Sequence, residues 1–503
     1  MTGPQVDFVH VSKAFGAVQA NRDVSFTIAA NSLHGVVGEN GAGKSTIMKI
    51  LYGLYAPDSG EIRIDGSAVK LQSPHEAIAR GVGMVHQHFM LVPTLTVWEN
   101  IILGQEPTRG RLHRGAIIDS LNALQNQYGF SLDLEKRIED LPVGHQQQVE
   151  ILKLLYREAN ILILDEPTAV LTPQEVDTLF EKMRALWKQG KSIVLITHKL
   201  REILRFTDTI TVMRQGSVVE TVAAKDMDER TLAEKIVGRK LATLPPRHSP
   251  PGQEAVLQLS GLGVAGKYGK PALDNVSFEI HRGEVVGIAG IEGNGQHELV
   301  EVLSGVNRDY AGSAKLLGRE YHEVAAYAAK QNGLSIIPPD RHREAVVLDF
   351  SLAENFVLGH HREDRYGKNG YLSPAKLAAQ ADSLMERFDV RPRNAELPMS
   401  SLSGGNQQKC VVARELSQSR TDFLLAAHPT RGVDIGAIEF IHKVFLQERD
   451  EGAAILLISS ELEELLSLAD RILVLYEGRV VGQTTPQQTS EAQLGLWMTG
   501  ATA

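Results

Sequence analysis

The sequence of 503 residues has a single cysteine, Cys410, and no long hydrophobic run. One thiol excludes an internal disulfide bond and suits a reducing compartment, and we expect this thiol to be packed and inert. The longest apolar stretches, such as residues 161–164 and 193–196, fall far short of the roughly 20 residues of a membrane-spanning helix. The chain does not start with a basic segment leading into an apolar one, so we expect no secretory signal. If the protein acts at a membrane, we expect it to do so as a peripheral subunit.

A large excess of one charge sign is also absent: 61 acidic and 52 basic side chains give a formal net charge of −9. Nucleic acid is bound by concentrated lysine and arginine, so we expect no nucleic-acid partner, although a local basic cleft is compatible with this balance. With 43% apolar and 22% charged residues, the composition is that of a globular protein. Since a single core stops growing at about 250–300 residues, this length predicts at least two domains.

Five sequence blocks occur twice, in the same order, so the chain is a tandem duplication of one module. GVVGENGAGKST returns as GIAGIEGNGQHE, TVWENIILG as SLAENFVLG, LPVGHQQ as LSGGNQQ, ILDEPT as LAAHPT, and VLITHKL as LLISSEL. The two copies are joined by LATLPPRHSPPGQEA, residues 241–255, whose four prolines are typical of an extended linker. We therefore predict one domain at residues 1–240 and a second at residues 256–503.

Each half alternates short apolar runs with helical segments. Runs such as residues 33–37, 161–164 and 193–196 are bounded by Gly, Asp or Thr, as the buried strands of parallel sheets are. We predict an α/β fold in both halves, with a mainly parallel sheet. A helical subdomain is expected where the spacing between the repeats drifts.

A glycine-rich loop in the first half satisfies the pattern G-x-x-x-x-G-K-S and leads from an apolar strand into a helix. Its backbone N–H groups would converge on phosphate oxygens, aided by the helix dipole. Lys44 would bridge the β- and γ-phosphates of a nucleotide, and Ser45 would ligate Mg²⁺. The alternative is a plain glycine-rich turn. The residues predicted to bind the nucleotide here are Gly38, Glu39, Asn40, Gly41, Ala42, Gly43, Lys44, Ser45 and Thr46.

Four polar residues further along would complete this phosphate chemistry. Asp165 ends an apolar run and is suited to hold Mg²⁺, and Glu166 can orient or deprotonate the attacking water. His198 ends the next run, where it could hydrogen-bond the γ-phosphate, and Gln87 could reach both metal and water. The structural alternatives are an acidic pair that caps a helix, a structural histidine and a loop amide.

The second half lacks every one of these chemical groups. The matched positions, first half then second half, are Lys44/Gln296, Ser45/His297, Gln87/Pro339, Asp165/Ala427, Glu166/His428 and His198/Ser460. Without the cation, the metal carboxylate and the base, no hydrolytic centre can be assembled there. A random scatter of replacements would not strike every chemical position at once.

These motifs in this order resemble the nucleotide-binding domain of ABC transporters, over nearly all of both halves. Three segments, GVGMVHQHFMLVPTLTVWENIILG, EPTAVLTPQE and HPTRGVDIGAIEFIH, resemble the twin-cassette ATPases of sugar and nucleoside importers. AAHPTRGVDIGAIEFIH is more similar to the nucleoside branch, because the sugar branch usually keeps an acidic residue in this motif. The resemblance implies that the nucleotide is ATP and the metal Mg²⁺.

The resemblance also implies that two cassettes pair head to tail, with ATP between the glycine-rich loop of one and the signature segment of the other. The second half has LSGGN, close to the family's LSGGQ, whereas the first half has LPVGH. In this pairing the intact glycine-rich loop faces the intact signature, and the altered loop faces the altered signature. The resemblance therefore implies one hydrolytic site and one degenerate site. Ser403 can also be an ordinary helix N-cap. The second-half residues expected to complete the hydrolytic site are Ser403, Gly404, Gly405 and Asp434, with Thr172 in the first half at the position of Asp434.

Aromatic and histidine side chains supply weaker signals. Phe15 could stack on adenine, with core packing the alternative, and Tyr268 is its counterpart in the second half. The apolar run at residues 89–92 could belong to the core, but the family resemblance implies a surface that meets the membrane subunits, which we favour. The histidine pairs His86/His88 and His360/His361 have no cysteine or carboxylate at metal-ligand spacing, so we expect them in solvent-facing loops.

The resemblance implies a place in a larger assembly. The expected partners are two transmembrane permease subunits and an external substrate-binding protein, with this chain peripheral on the cytoplasmic face of the cell membrane. A ribose or galactose importer is the nearest alternative. A soluble twin-cassette ATPase of translation or repair is another class, but such proteins usually have two intact sites and long charged inserts. A non-hydrolysing clamp is a third, which Glu166 and His198 oppose.

Overall fold

The computed structural model describes residues 4–16, 18–86, 89–106, 112–168, 171, 173–240, 250–266, 270–291, 293–321, 333–368, 371–417 and 420–500. The chain forms two compact units, Met1–Leu241 and Ala242–Ala503. Most of the predicted linker, residues 241–249, lies outside the described residues. Among the described residues, no helix is both long and apolar enough to cross a membrane.

The first unit is built on a six-stranded sheet with the strand order β10-β9-β3-β8-β7-β6, parallel except for the pair β9–β10. A four-stranded antiparallel sheet, order β2-β1-β4-β5, accompanies it. The strands are β1 Val6–Phe15, β2 Val18–Ile28, β3 Leu33–Gly38, β4 Ser59–Ile64, β5 Ser67–Val69, β6 Val82–Val85, β7 Ile161–Asp165, β8 Ser192–Ile196, β9 Thr209–Arg214 and β10 Ser217–Ala223.

Helices cover the sheets and form a separate helical region after β6. The helices are α1 Lys44–Leu51, α2 Pro74–Ala79, α3 Val97–Ile102, α4 Arg114–Tyr128, α5 Val143–Tyr156, α6 Pro173–Lys188, α7 Leu200–Phe206 and α8 Glu229–Val237. Helix α3 begins at a capping box in which the Thr96 hydroxyl accepts the Glu99 N–H and the Glu99 carboxylate accepts the Thr96 N–H.

The core explains the two-sheet arrangement. Every residue of β3, β7 and β8 is buried, as expected for central strands of a sheet covered on both faces. Apolar side chains of β1, α1 and β7, including Phe8, Ile47 and Ile163, belong to one cluster. Helix α1 therefore packs against both sheets. Because β3, β8 and β7 are parallel neighbours, their carboxyl ends meet at one edge of the sheet, where ligands of α/β proteins bind.

The second unit repeats this architecture, with a six-stranded sheet in the order β16-β19-β20-β13-β21-β22 and a four-stranded sheet in the order β12-β11-β14-β15. A two-stranded hairpin, β17–β18, is additional. Its strands are β11 Ala255–Ala265, β12 Pro271–His281, β13 Val285–Ala289, β14 Ala311–Leu316, β15 Arg319–Glu320, β16 Leu334–Ile337, β17 Gly367–Lys368, β18 Tyr371–Leu372, β19 Phe423–Ala427, β20 Ala454–Ile458, β21 Arg471–Tyr476 and β22 Arg479–Thr484.

The helices of the second unit follow the same order as those of the first, and a π-helical turn lies at Arg341–Ala345. The helices are α9 Gln296–Leu303, α10 Leu352–Val357, α11 Pro374–Arg387, α12 Gly404–Glu415, α13 Ile435–Asp450, α14 Leu462–Leu468 and α15 Glu491–Met498. Four short 3₁₀ turns complete the described elements of both units: Ile138–Asp140, Ala224–Asp226, Met399–Ser401 and Pro486–Gln488.

Two side chains set aside in the sequence analysis have defined environments. Cys410 is buried in α12, and burial raises the pKa of its thiol to about 12, so it is unreactive at neutral pH. The expectation that His360 lies in a solvent-facing loop is wrong. His360 is buried, and its Nδ1 lies 2.6 Å from Glu363 Oε1, because the turn after α10 folds back onto itself.

Candidate active site

The glycine-rich loop of the first unit joins β3 to α1 in a conformation that only glycine adopts freely. Gly41 and Gly43 have φ values of 81° and 93°, in the left-handed region. A Cβ on Gly38 would lie 2.3 Å from the Met213 carbonyl oxygen, so the loop leaves the sheet in close contact with β9. The buried Asn21 side chain supports the far end by donating from Nδ2 to the Gly43 carbonyl oxygen at 3.1 Å.

Lys44 is the first residue of α1 and is buried inside this loop. Its Nζ donates to the carbonyl oxygens of Gly38 at 2.8 Å and Glu39 at 2.9 Å. The ammonium group is thus held at the centre of the loop, where it faces any phosphate that the loop wraps. Of the other predicted loop residues, Ala42 is buried, Thr46 is half-buried and Asn40 is exposed.

Ser45 and Asp165 meet at the edge of the sheet. The Ser45 hydroxyl donates to Asp165 Oδ1 at 3.3 Å, so the start of α1 and the end of β7 present two oxygen atoms side by side. Burial raises the pKa of Asp165 above its ordinary value, with the Ser45 hydrogen bond opposing that shift. The described residues contain no cluster of three or more His, Cys, Asp or Glu side chains that could hold a metal unaided. One carboxylate and one hydroxyl suit a hard divalent cation that takes its remaining ligands from phosphate and water.

Glu166 follows directly, with a backbone conformation that is rare for its type. Its φ is 51°, and its N–H donates to the Ile196 carbonyl oxygen at 2.8 Å. A non-glycine residue at positive φ is strained and is often found at functional sites. Here it turns the Glu166 side chain toward His198, whose Nδ1 lies 3.1 Å from Glu166 Oε1.

The electrostatics of this pair favour an ionised carboxylate. Burial of Glu166 acts to raise its pKa, but the hydrogen bond and charge of His198, together with Lys44, bring the pKa below its ordinary value. Glu166 is therefore ionised at neutral pH, the state that a general base requires. The contact between Glu166 and His198 was not predicted from the sequence, and neither was the support from Asn21, a lone asparagine in a strand with no motif around it.

Phe15 lies at the end of β1 with 42% of its surface exposed, so it does not belong to the core. The Tyr55 ring stands edge-on to it, at 5.0 Å between ring centroids, and Lys13 Nζ lies 5.5 Å from the ring. Adenine stacking on this ring stays a prediction. Three other residues named from the sequence, Gln87, Thr172 and Tyr268, lie outside the described residues.

In the matching loop of the second unit, Gly293 and Gly295 have φ values of 95° and 106°, as the glycines of the first loop do, but a side chain of the loop occupies its centre. Gln296 begins α9 as Lys44 begins α1, and it is equally buried. Its Nε2 donates to the Ile291 carbonyl oxygen at 3.0 Å, and its Oε1 accepts the Asn294 N–H at 3.1 Å. A neutral side chain therefore occupies the loop and engages one of the N–H groups that would otherwise face a phosphate.

Elsewhere in the second site the backbone matches that of the first site, but the reactive side chains are replaced. His428 has a φ of 46°, and its N–H donates to the Ile458 carbonyl oxygen at 2.7 Å, which matches Glu166. Ala427 is fully buried where the first unit has Asp165. His297 points outward, 62% exposed, and pairs with Glu301 at 3.2 Å.

The signature turn of the second unit lies at the start of α12. Ser403 is the N-cap of this helix, and its hydroxyl accepts the Asn406 N–H at 3.4 Å, so the capping alternative is correct for the described unit. Asp434 is the N-cap of α13 and accepts the Ala437 N–H at 2.8 Å. A Cβ on Gly405 would lie 2.7 Å from Asp434 Oδ2, so any larger residue here would have to displace the Asp434 carboxylate.

A glycine-rich loop at the edge of a parallel sheet, with a lysine inside it and a hydroxyl–carboxylate pair and an ionised glutamate beside it, is the arrangement of a P-loop nucleoside triphosphatase. The chain matches the ABC transporter family over residues 21–169 and again over residues 273–431, and it belongs to that family. It is accordingly an ATP-binding subunit with ATPase activity, built from two cassettes.

The relatives that match nearly the whole chain include three import ATP-binding proteins. The guanosine import ATP-binding protein NupO of Bacillus subtilis is 44% identical, over 99% of this chain and 98% of the relative. The nucleoside import ATP-binding protein NupA of Lactococcus lactis is 43% identical, over 98% of each. The glucose import ATP-binding protein TsgD13 of Haloferax volcanii is 44% identical, over 99% of this chain and 96% of the relative.

Proposed function

We propose that this chain energises an ABC importer for nucleosides or simple sugars, and that it hydrolyses ATP only at the site of the first unit. The chemical asymmetry between two otherwise matching sites carries this proposal. The first unit brings a lysine, a hydroxyl–carboxylate pair and a glutamate–histidine pair to one edge of its sheet. The second unit has a glutamine, an alanine and a histidine at the key positions.

The loop of the first unit would hold the triphosphate. Backbone N–H groups at the start of α1 point toward bound phosphate, and Lys44 adds a positive charge at the β- and γ-phosphates. Ser45 and Asp165 supply oxygen ligands that fit Mg²⁺, with Gln87 as a further predicted ligand. The ion, when bound, neutralises charge on the phosphate oxygens.

Glu166 and His198 would handle the attacking water. The ionised Glu166 carboxylate orients the water and accepts its proton, which raises the nucleophilicity of the oxygen. His198 holds the carboxylate through its Nδ1 and would hydrogen-bond the γ-phosphate, as predicted from the sequence. We propose that Ser403 and the Gly405 amide of a signature turn, together with Asp434, complete the site, as the family resemblance implies.

We propose two permease subunits and an external substrate-binding protein as partners, with this chain peripheral on the cytoplasmic face of the membrane. The names of the relatives support import as the direction of transport. They name guanosine, nucleosides and glucose, so nucleosides and simple sugars are the two substrate classes to test. We favour nucleosides because of the segment AAHPTRGVDIGAIEFIH.

Uptake by the host cell tests the proposal. The gene for this chain is deleted in its host. Uptake of labelled guanosine, uridine, ribose, galactose and glucose is then measured with and without complementation. Loss of nucleoside uptake that wild type restores and Glu166→Gln does not restore is the expected result. Loss of sugar uptake alone would overturn the nucleoside preference and keep the ATPase assignment. Unchanged uptake of all five compounds would contradict the proposed function.

A further inference from the structure

A turn beside the signature segment is longer in the second unit than in the first. Eleven residues lie between Pro339 and Ser351, against eight between the matching residues of the first half. The added length falls at the π-helical turn Arg341–Ala345, which Asp340 caps by accepting two of its backbone N–H groups. The second half therefore has three more residues than the first half over this stretch, which contains the π-helical turn.

This turn contacts the first turn of α12 through two side chains. His342 Nε2 lies 2.9 Å from Gln407 Oε1. Arg341 Nη1 donates to the Arg431 carbonyl oxygen at 2.9 Å, and its guanidinium lies beside Gly404. A Cβ on Gly404 would lie only 2.7 Å from Arg341 Nη2, so this glycine leaves room for the guanidinium.

On the other side of the signature turn lies the carboxylate of Asp434. Asp434 caps α13 through one carboxylate oxygen, and its other oxygen lies against Gly405. The two glycines of the signature are therefore enclosed between Arg341 and Asp434. Since Arg341 also bonds to the segment that leads into α13, it links the signature turn to that segment.

Fold stability does not account for an arginine here. A cation near a helix N-terminus opposes the helix dipole. Burial lowers the pKa of the Arg341 guanidinium, and its buried Nε has no hydrogen-bond partner among the described residues. The arginine thus sits where its charge is unfavourable, while its one described hydrogen bond holds the loop next to Ser403.

We propose that Arg341 is a positioning residue for ATP hydrolysis, which fixes the turn that presents the Ser403 hydroxyl and the Gly405 amide. The inference rests on the proposed function, in which these two groups contact the γ-phosphate. Arg341 itself need not touch the nucleotide. Because donors must match the transition state closely, a small displacement of the turn reduces the rate more than the binding of ATP.

Arg341→Met tests this role, because methionine keeps much of the side-chain bulk and removes the charge and the donors. Arg343→Met is the matched control, since Arg343 lies on the same turn with an exposed side chain. Steady-state ATPase assays on the full chain are expected to give a kcat about tenfold lower for Arg341→Met, with the KM for ATP changed less than about twofold. Arg343→Met should match wild type, and Arg341→Lys should recover part of the rate.

A double variant separates positioning from a general effect on folding. In the Ser403→Ala background, Arg341→Met should reduce kcat by less than it does in wild type, because both act through one group. A kcat for Arg341→Met equal to that of Arg343→Met, or equal effects in both backgrounds, would overturn the inference. If Glu166→Gln retains turnover, the proposed function itself fails, which is a different outcome.

Discussion

At the scale of single residues, Glu166 and His428 form a natural comparison, because they share a positive φ and the same backbone hydrogen bond to the neighbouring strand. They differ in their side chains, so a substitution at either one tests chemistry on a matched backbone. We expect Glu166→Gln to lower kcat by about 10²–10⁴-fold, the usual contribution of a general base, and to leave ATP binding intact. ATPase assays and nucleotide titration measure the two quantities.

His428→Gln is the control for that experiment, since it changes the matching residue of the second unit. We expect its kcat to stay close to wild type. If the two substitutions were equally damaging, hydrolysis would not be confined to the first unit.

Asp165 makes a second prediction, about stability. Burial raises its pKa in the folded state, so the folded chain binds the proton more tightly than the unfolded chain and loses stability as pH rises through that window. At neutral pH the buried charge is therefore a net cost when no metal is present. Asp165→Asn should raise the Tm of metal-free protein, by about 2–4 °C for each kcal/mol of desolvation relieved, and abolish the ATPase. A lower Tm at neutral pH would contradict this account.

Motif spacing predicted where these residues lie along the fold, because each ends or follows a buried strand and its position is set by that element. The contacts that support these residues could not be predicted from the sequence. Asn21 contacts the glycine-rich loop from a distant strand, and Gln296 folds into its own loop. Such contacts depend on the three-dimensional path of the chain, which a pattern of residue types does not specify.

At the scale of elements, the glycine-rich loop owes its shape to two glycines that can be told apart. Both have positive φ, but a Cβ on Gly41 meets nothing within 4 Å, whereas one on Gly43 would lie 2.4 Å from the Ala20 carbonyl oxygen. Alanine at either position adds about 1–2 kcal/mol of backbone strain. Only Gly43→Ala must also displace β2.

We therefore expect Gly43→Ala to weaken ATP binding at least about tenfold more than Gly41→Ala does. Equilibrium titration with a fluorescent ATP analogue gives both dissociation constants. Equal dissociation constants for the two variants would show that packing against β2 does not shape the loop.

The parallel sheets were predicted and the antiparallel sheets were not. The strands β3, β7 and β8 are short, wholly buried and mainly apolar, a pattern that few other elements share. The strands β1 and β2 are long and half-exposed, with irregular pairing that breaks a simple alternation of polar and apolar residues. Their role depends on packing against α1, so it became clear only from the structure.

At the scale of the whole molecule, the two units have the same fold, while the second lacks the chemical groups of the first site. The two units share their strand order, the positive φ of two loop glycines and even the strained residue after the equivalent strands β7 and β19. A second unit that supplies a signature turn would need its fold whether or not it hydrolyses ATP. This accounts for a second unit with an ordered core and an altered phosphate loop.

The number of nucleotides bound per chain follows from the two loops. Lys44 offers a positive charge to phosphate, whereas Gln296 is neutral and already bonded to the backbone of its own loop. We expect Glu166→Gln protein, which cannot turn over, to bind one ATP tightly per chain in calorimetric titration with Mg²⁺. Adding Lys44→Ala should remove that binding, and adding Gln296→Ala should leave it unchanged, because opening the second loop restores neither the cation nor the metal carboxylate. Two tight sites per chain, or loss of binding on changing Gln296, would mean that the second loop still takes up a triphosphate despite its missing charge.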